Sequence, residues 1–180
     1  LVTGGTGFTG SYLLRSRCEL GCEVHAIARP SSDRGPLADL PITWHIGDVF
    51  DETIVREACR DIEYVFNVAA AFRVSGIPDS VYRDVHVTAT RHLANHAAGS
   101  PSLQRFVQVS TVGVHGHIDE PPANEESRFN PGDIYQETKA EAELWIRQFA
   151  AERGMPLTVV RPAAIYGPGD TRLLKLFRMA

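Results

Sequence analysis

The chain has 180 residues, 43% of them hydrophobic and 22% charged, with a formal net charge of -4 and a pI near 6.0. That is enough apolar material for one buried core, while the mild acidity gives no basic footprint for nucleic acid and no apolar run approaches the ~18 residues that cross a bilayer. The three cysteines, Cys18, Cys22 and Cys59, make neither an even disulfide set nor a zinc pattern, which fits reduced structural thiols in a cytoplasmic protein.

Leu1 and Val2 read as the tail of an apolar strand, and Tyr12, Leu13 and Leu14 begin a helical pattern. Between them lies Thr3-Gly4-Gly5-Thr6-Gly7-Phe8-Thr9-Gly10. In a strand-to-helix turn, glycines let the backbone turn tightly and let a pyrophosphate approach the main chain, where the helix-start N–H groups bind it. The spacing is G-x-x-G-x-x-G with an extra Gly5 rather than G-x-G-x-x-G, and alone it also suits a glycine-rich turn without a ligand.

Short β-branched apolar runs then alternate with helical patterns. Strands are predicted at Val24 to Ala28, Ile42 to Ile46, Tyr64 to Val68, Phe106 to Ser110 and Leu157 to Val160, and helices at Phe8 to Leu20, Glu52 to Cys59, Asp79 to Ala97 and Asp133 to Arg153, the last closed by Gly154. Such alternation predicts an α/β fold, a Rossmann-type doubly wound parallel sheet with helices on both faces. The expected organisation is a dinucleotide-binding domain over 1–170 and the start of a substrate-binding region over 171–180. The proline-bearing stretch Gly116 to Gly132 suits a functional loop. The absence of an initiator Met and the unfinished helical pattern at 173–180 lead us to expect a fragment.

In such a sheet the ligand lies outside the carboxyl ends of the strands, so strand-end residues are candidates. Arg29 follows the second strand, where an acid would bind a ribose 2′-OH; an Arg instead matches a 2′-phosphate, which favours NADP over NAD, the alternative being a solvated pair with Asp33. Gly47-Asp48-Val49 ends the third strand; Asp48 suits the adenine amino group or, equally, a helix cap. Asn67-Val68-Ala69-Ala70-Ala71 leaves room for a flat ring or ribose, or for close helix packing. Ser110 and Thr111 end the fifth strand, and Tyr135 and Lys139, at i and i+4, share a helix face. A nearby ammonium favours phenolate, so the pair suits proton transfer, with the hydroxyl of Thr111 or Ser110 orienting a substrate oxygen.

Taken together, these motifs resemble those of the extended short-chain dehydrogenases/reductases of the NAD-dependent epimerase/dehydratase family, through Thr3 to Gly10, Gly47-Asp48, Asn67 to Ala71, Ser110-Thr111, Tyr135-Gln136-Glu137-Thr138-Lys139 and Arg161 to Asp170. The resemblance implies Tyr135 as acid/base, Lys139 as holder of the nicotinamide ribose, Thr111 as the catalytic hydroxyl with Ser110 beside it, and backbone contacts to the nicotinamide from Pro162 to Ile165. It also implies a C-terminal substrate domain largely missing here, and a dimer packed through the helices at Asp79 to Ala97 and Asp133 to Arg153. The expected activity is epimerase/dehydratase-type hydride transfer on a nucleotide-sugar-like substrate; the alternatives are an NADPH-dependent ketone reductase of dihydroflavonol or hydroxysteroid type, and a non-catalytic NAD(P)-sensing protein. Two residues depart from the family pattern. His86 stands where asparagine is common, as a supporting group or a packing residue, and His115 replaces a common tyrosine at a position expected to shape the pocket.

Overall fold

The computed structural model describes residues 1–72 and 76–170; the expected start of the substrate region at 171–180 lies outside the described residues. Six strands make one parallel sheet: β1 Val2–Thr3, β2 Val24–Ala28, β3 Ile42–Ile46, β4 Tyr64–Asn67, β5 Arg105–Val109 and β6 Leu157–Val160, in the spatial order β3-β2-β1-β4-β5-β6. Winding proceeds outward from β1 to one edge and then from β4 to the other. The chain therefore leaves a crevice above the β1/β4 carboxyl ends, where crossovers depart in opposite directions.

The helices are α1 Phe8–Glu19, α2 Glu52–Ala58, α3 Asp79–Arg83, α4 Ala89–Ala98 and α5 Ile134–Arg153. Alternation along the strands divides the core. Leu1, Ile27, Val65 and Phe106 pack with Val55, Leu93, Ile146 and Phe149 of α2, α4 and α5, whereas Val2, Val24 and Ala26 pack with Leu14 of α1 on the opposite face. The helices thus cover both faces, as the pattern of the sequence predicts.

Local chemistry sets the helix ends. Asp51 caps α2, accepting from the N–H groups of Thr53 and Ile54 at 2.9 and 3.4 Å, which rules out Asp48 as the cap. Asp133 caps α5 by accepting from Gln136 N–H at 2.8 Å, and the Gln136 side chain returns to accept from Gly132 N–H at 2.7 Å, a variant of the capping box. Gly154 closes α5 in the left-handed region, at φ 65°.

The single helix expected from Asp79 to Ala97 is corrected: Asp84–Thr88 form a π-helical turn between α3 and α4. Within this turn the neighbours His86 and Val87 are both buried, at 1% and 5% exposure. The Thr90 hydroxyl donates to the His86 carbonyl at 2.6 Å and so anchors the turn.

Candidate active site

A cleft of about 930 Å³ opens at the carboxyl ends of the strands. Its lining takes Gly4, Thr6, Gly7, Phe8, Thr9 and Gly10 from the β1–α1 turn, Arg29 and Ser32 after β2, and Asp48 and Val49 after β3. It continues through Ala69, Ala70 and Ala71 after β4, Ser110 and Thr111 after β5, Tyr135 and Lys139 on α5, and Pro162 and Ile165 after β6. Residues as far apart in sequence as Gly4 and Ile165 thus converge because the parallel strands end on one side.

Gly5 stands outside this lining. A Cβ there would lie 2.5 Å from Leu14 Cδ1, so its smallness serves the packing of the loop on α1. Gly4, at φ 69°, lies so close to β4 that a Cβ would sit 2.8 Å from the Ala69 backbone, and one on Gly10 would meet the Gly4 carbonyl oxygen at 2.1 Å. The α1 N-terminus carries no side-chain cap and no acid in its first turn. Its positive end is consequently presented to the cleft, as an anion site requires.

Beneath the cleft floor lies a buried polar network. The Thr3 hydroxyl donates to Asn67 Oδ1 at 2.8 Å and accepts from the N–H groups of Val68 and Ala69, each at 3.1 Å. Asn67 Nδ2 donates to Gln108 Oε1 at 2.9 Å and to the Thr90 hydroxyl at 3.0 Å, and Gln108 Nε2 reaches that same hydroxyl at 3.4 Å. The network ties β1, β4, β5 and α4 together under the switch point. Saturated buried networks of this kind fix one arrangement of a core.

Lys139 is 3% exposed and its ammonium donates to the Val109 carbonyl at 3.0 Å. Burial disfavours its charged form and brings the pKa down to about 8. One helical turn before it, the half-buried Tyr135 ring stands edge-on to Phe72 and to His86, with centroids 5.2 and 5.4 Å away. Thr111 Oγ1 accepts from Gly113 N–H at 3.1 Å, which leaves its O–H as a donor toward the cleft. Ser110 Oγ is buried and, among the described residues, has no hydrogen-bond partner. An orphaned hydroxyl in the wall of a cleft is a group waiting for a ligand atom or water.

The sequence pattern of the NAD dependent epimerase/dehydratase family matches residues 1–180. The chain belongs to that family. It is 35% identical over 175 residues to sterol demethylase protein B of Methylococcus capsulatus, covering 96% of this chain and 53% of that protein. To the 3-beta-hydroxysteroid dehydrogenase of Mycolicibacterium neoaurum it is 34% identical, covering 97% of this chain and 50% of the relative. A crystal structure of the dTDP-glucose 4,6-dehydratase DesIV from Streptomyces venezuelae, with NAD and TYD bound, superposes with a TM-score of 0.85 at 28% identity, over 99% of this chain and 60% of that one. The chain thus spans about half the length of the curated relatives it matches.

In this family member the features of the cleft fit a nicotinamide dinucleotide: the close-packed glycine turn, the uncapped positive helix end and the orphaned Ser110 hydroxyl. Arg29 is exposed at the cleft edge and makes no ion pair among the described residues, while Asp33 accepts from Gly35 N–H at 2.9 Å. The alternative pairing of Arg29 with Asp33 is therefore absent. His115 is a second correction, for it does not line the cleft. Its Nδ1–H donates to the Arg128 carbonyl at 3.0 Å and its Nε2 accepts from Arg161 Nη1 at 3.3 Å. Arg161 also donates to the fully buried Glu143, with Nη2 at 2.5 Å from Oε1, and to the Glu125 carbonyl at 3.0 Å, so this cluster fastens the Gly116 to Gly132 loop to α5.

Several lining residues escape the strand-end reading. Phe72, Ile77, Val81 and Val85 give the cleft an apolar wall, and the Tyr12 hydroxyl donates to the Pro168 carbonyl at 2.8 Å, holding the post-β6 segment against α1. Phe72, Ile77 and Val81 lie between β4 and the π turn, and Val85 lies within it. Among the described residues no helix is long and apolar enough to cross a membrane, and no group of His, Cys, Asp or Glu is placed to hold a metal ion.

Proposed function

We propose that this chain is the cofactor-binding half of an NADP-dependent oxidoreductase that transfers a hydride at a carbinol carbon, with Tyr135 as the acid/base. The observation that carries this reading is the convergence of Tyr135, the buried Lys139 ammonium and the Thr111 hydroxyl on the same cleft as the glycine turn. When bound, the nicotinamide supplies the hydride acceptor or donor. Thr111 orients the substrate oxygen by donating its O–H, and Tyr135 takes the hydroxyl proton on oxidation or returns it on reduction. Lys139, anchored on Val109 O, places a positive charge one turn from the phenol and supports its ionised form. Arg29, at the cleft edge and without an ion pair among the described residues, would receive the adenosine 2′-phosphate.

The same cleft favours an apolar ring alcohol or ketone as substrate. Among the described residues of 71–85, all that line the cleft are apolar, namely Ala71, Phe72, Ile77, Val81 and Val85; Asp79, Arg83 and Asp84 are not part of the lining. The described part of this wall solvates a hydrocarbon skeleton and offers a diphosphate no partner. A nucleotide sugar is the second reading, supported by the nucleotide-bound structural relative, and it would require its diphosphate to be held by residues outside this wall.

The test pairs calorimetric titrations of NADP and NAD with turnover of a panel of cyclic secondary alcohols and of UDP-sugars, in the native sequence and in Tyr135→Phe. Expected are tighter NADP binding, oxidation of the apolar alcohols, and a 10²–10⁴-fold loss of turnover in Tyr135→Phe at unchanged cofactor affinity, the usual range for a lost acid/base. Undiminished turnover in that variant removes the mechanism. Turnover of UDP-sugars alone replaces the apolar substrate by the second reading.

A further inference from the structure

His86 lies in the π turn, 1% exposed, and meets three separate elements. Its Nε2 is 3.0 Å from the Ala71 N–H, a group that can only donate, so Nε2 is unprotonated. Its Nδ1 is 2.8 Å from Thr138 Oγ1. That hydroxyl reaches the Ile134 carbonyl at 2.7 Å and the Tyr135 carbonyl at 3.2 Å, where it can only donate, so Nδ1 carries the hydrogen and gives it to Thr138. Its ring also stands edge-on to Tyr135 and Tyr82, and its carbonyl is held by Thr90 of the buried network. Both nitrogens are thus committed in one direction, from the end of β4 through the ring to the backbone of the turn that carries Tyr135.

We propose that His86, fixed as the Nδ1–H tautomer, is a positioning residue that sets the separation between the Ala69–Ala71 floor of the cleft and the Tyr135–Lys139 face of α5. The proposal rests on Tyr135 being the acid/base. The ring is the brace between the two walls that a nicotinamide and its substrate must lie between. It remains an uncharged brace because burial, aided by the nearby Lys139 charge, takes its pKa down to about 2. A protonated ring would lose the Ala71 bond.

The experiment follows Tyr135 directly and needs no substrate. With tyrosine labelled at 13Cζ and NADP present, the Tyr135 titration is recorded by NMR in the native sequence, His86→Phe, Thr138→Val, Thr138→Ser and the double variant His86→Phe/Thr138→Val. Phe keeps the ring contacts and removes both nitrogens; Val removes the acceptor on α5; Ser restores it. Expected are an upward shift of the Tyr135 midpoint by at least about half a pH unit in each of the first two variants, no further shift in the double variant, and native behaviour in Thr138→Ser. Should His86→Phe fail to fold, Thr138→Val against Thr138→Ser decides alone. An unmoved midpoint in Thr138→Val, or additive shifts in the double variant, overturns the brace. A native Tyr135 that titrates no lower than a free tyrosine, near ~10, instead overturns the acid/base reading on which the brace depends.

Discussion

Two cations lie at opposite ends of the usefulness of burial in this molecule. Arg161 is held by Glu143, His115 and the Glu125 carbonyl, and lies 5.0 Å over the Phe129 ring. Lys139, more deeply buried, donates to the neutral Val109 carbonyl. The carboxylate beside Arg161 holds its guanidinium above the ordinary arginine range, whereas burial depresses Lys139. The first arrangement satisfies a charge, and the second, among the described residues, gives it no countercharge. A fold keeps the second kind where a ligand or a reacting group completes it.

The contrast breaks if both cations respond alike to removal. Arg161→Met should destabilise by about 3–5 kcal/mol, toward the lower end, because Glu143 would stay fully buried with only the half-exposed Arg147, 3.7 Å away, as countercharge. Urea unfolding reads the loss, and titration of NADP into the folded protein should show little change. A neutral Arg161→Met would mean that the loop clamp is dispensable and that burial of Glu143 is relieved by the loop opening.

Lys139→Met should do the opposite. Below about pH 8 the folded state must hold a buried ammonium that the unfolded chain, with an ordinary pKa of 10.5, holds more easily, so the penalty is fully present at neutral pH. As pH rises from about 8 toward 10.5 the unfolded chain carries more protons than the folded one, and stability rises. The gain across that window is on the order of 3 kcal/mol for the native sequence, reduced in practice by water reaching the site, and it vanishes in Lys139→Met. Unfolding midpoints at neutral and alkaline pH check it. Equal slopes in the two proteins would remove the stored penalty, while turnover in Lys139→Met should fall whichever slope is found.

The fold was largely legible because strands in a parallel sheet are continuous β-branched runs, and three of the expected strands, Val24–Ala28, Ile42–Ile46 and Leu157–Val160, keep their limits in the structure. The cleft was legible for a related reason: once the strands are placed, the residues that end them must share one rim. What escaped depends on pairings across the chain. Thr3 and Asn67 are 64 residues apart and His86 and Thr138 are 52 apart, so neither bond leaves a periodic signal. The two departing histidines show the same limit. Both are buried, both donate from Nδ1, and only their partners, a cleft-floor amide for His86 and a loop-clamping arginine for His115, separate a brace of the site from a piece of scaffold.

The smallest expected effect is at the exposed cation of the cleft rim, Arg29. In contrast to Arg161 and Lys139 it is solvated, so its removal should leave stability within about half a kcal/mol, as for surface substitutions generally. Its effect should appear in the choice of cofactor alone. Arg29→Asp replaces a fork that matches a phosphate by a carboxylate that repels it and accepts from a ribose 2′-OH, and the NADP/NAD affinity ratio should fall by at least about tenfold. Because the pairing would take place in water, the native preference for NADP should weaken with added salt, whereas the NAD affinity of Arg29→Asp, which uses a hydrogen bond to a neutral hydroxyl, should change less. A ratio that moves in neither variant nor salt would place the 2′-phosphate elsewhere on the rim, where Ser32 also faces the cleft, and would leave Arg29 as a solvated strand-end charge.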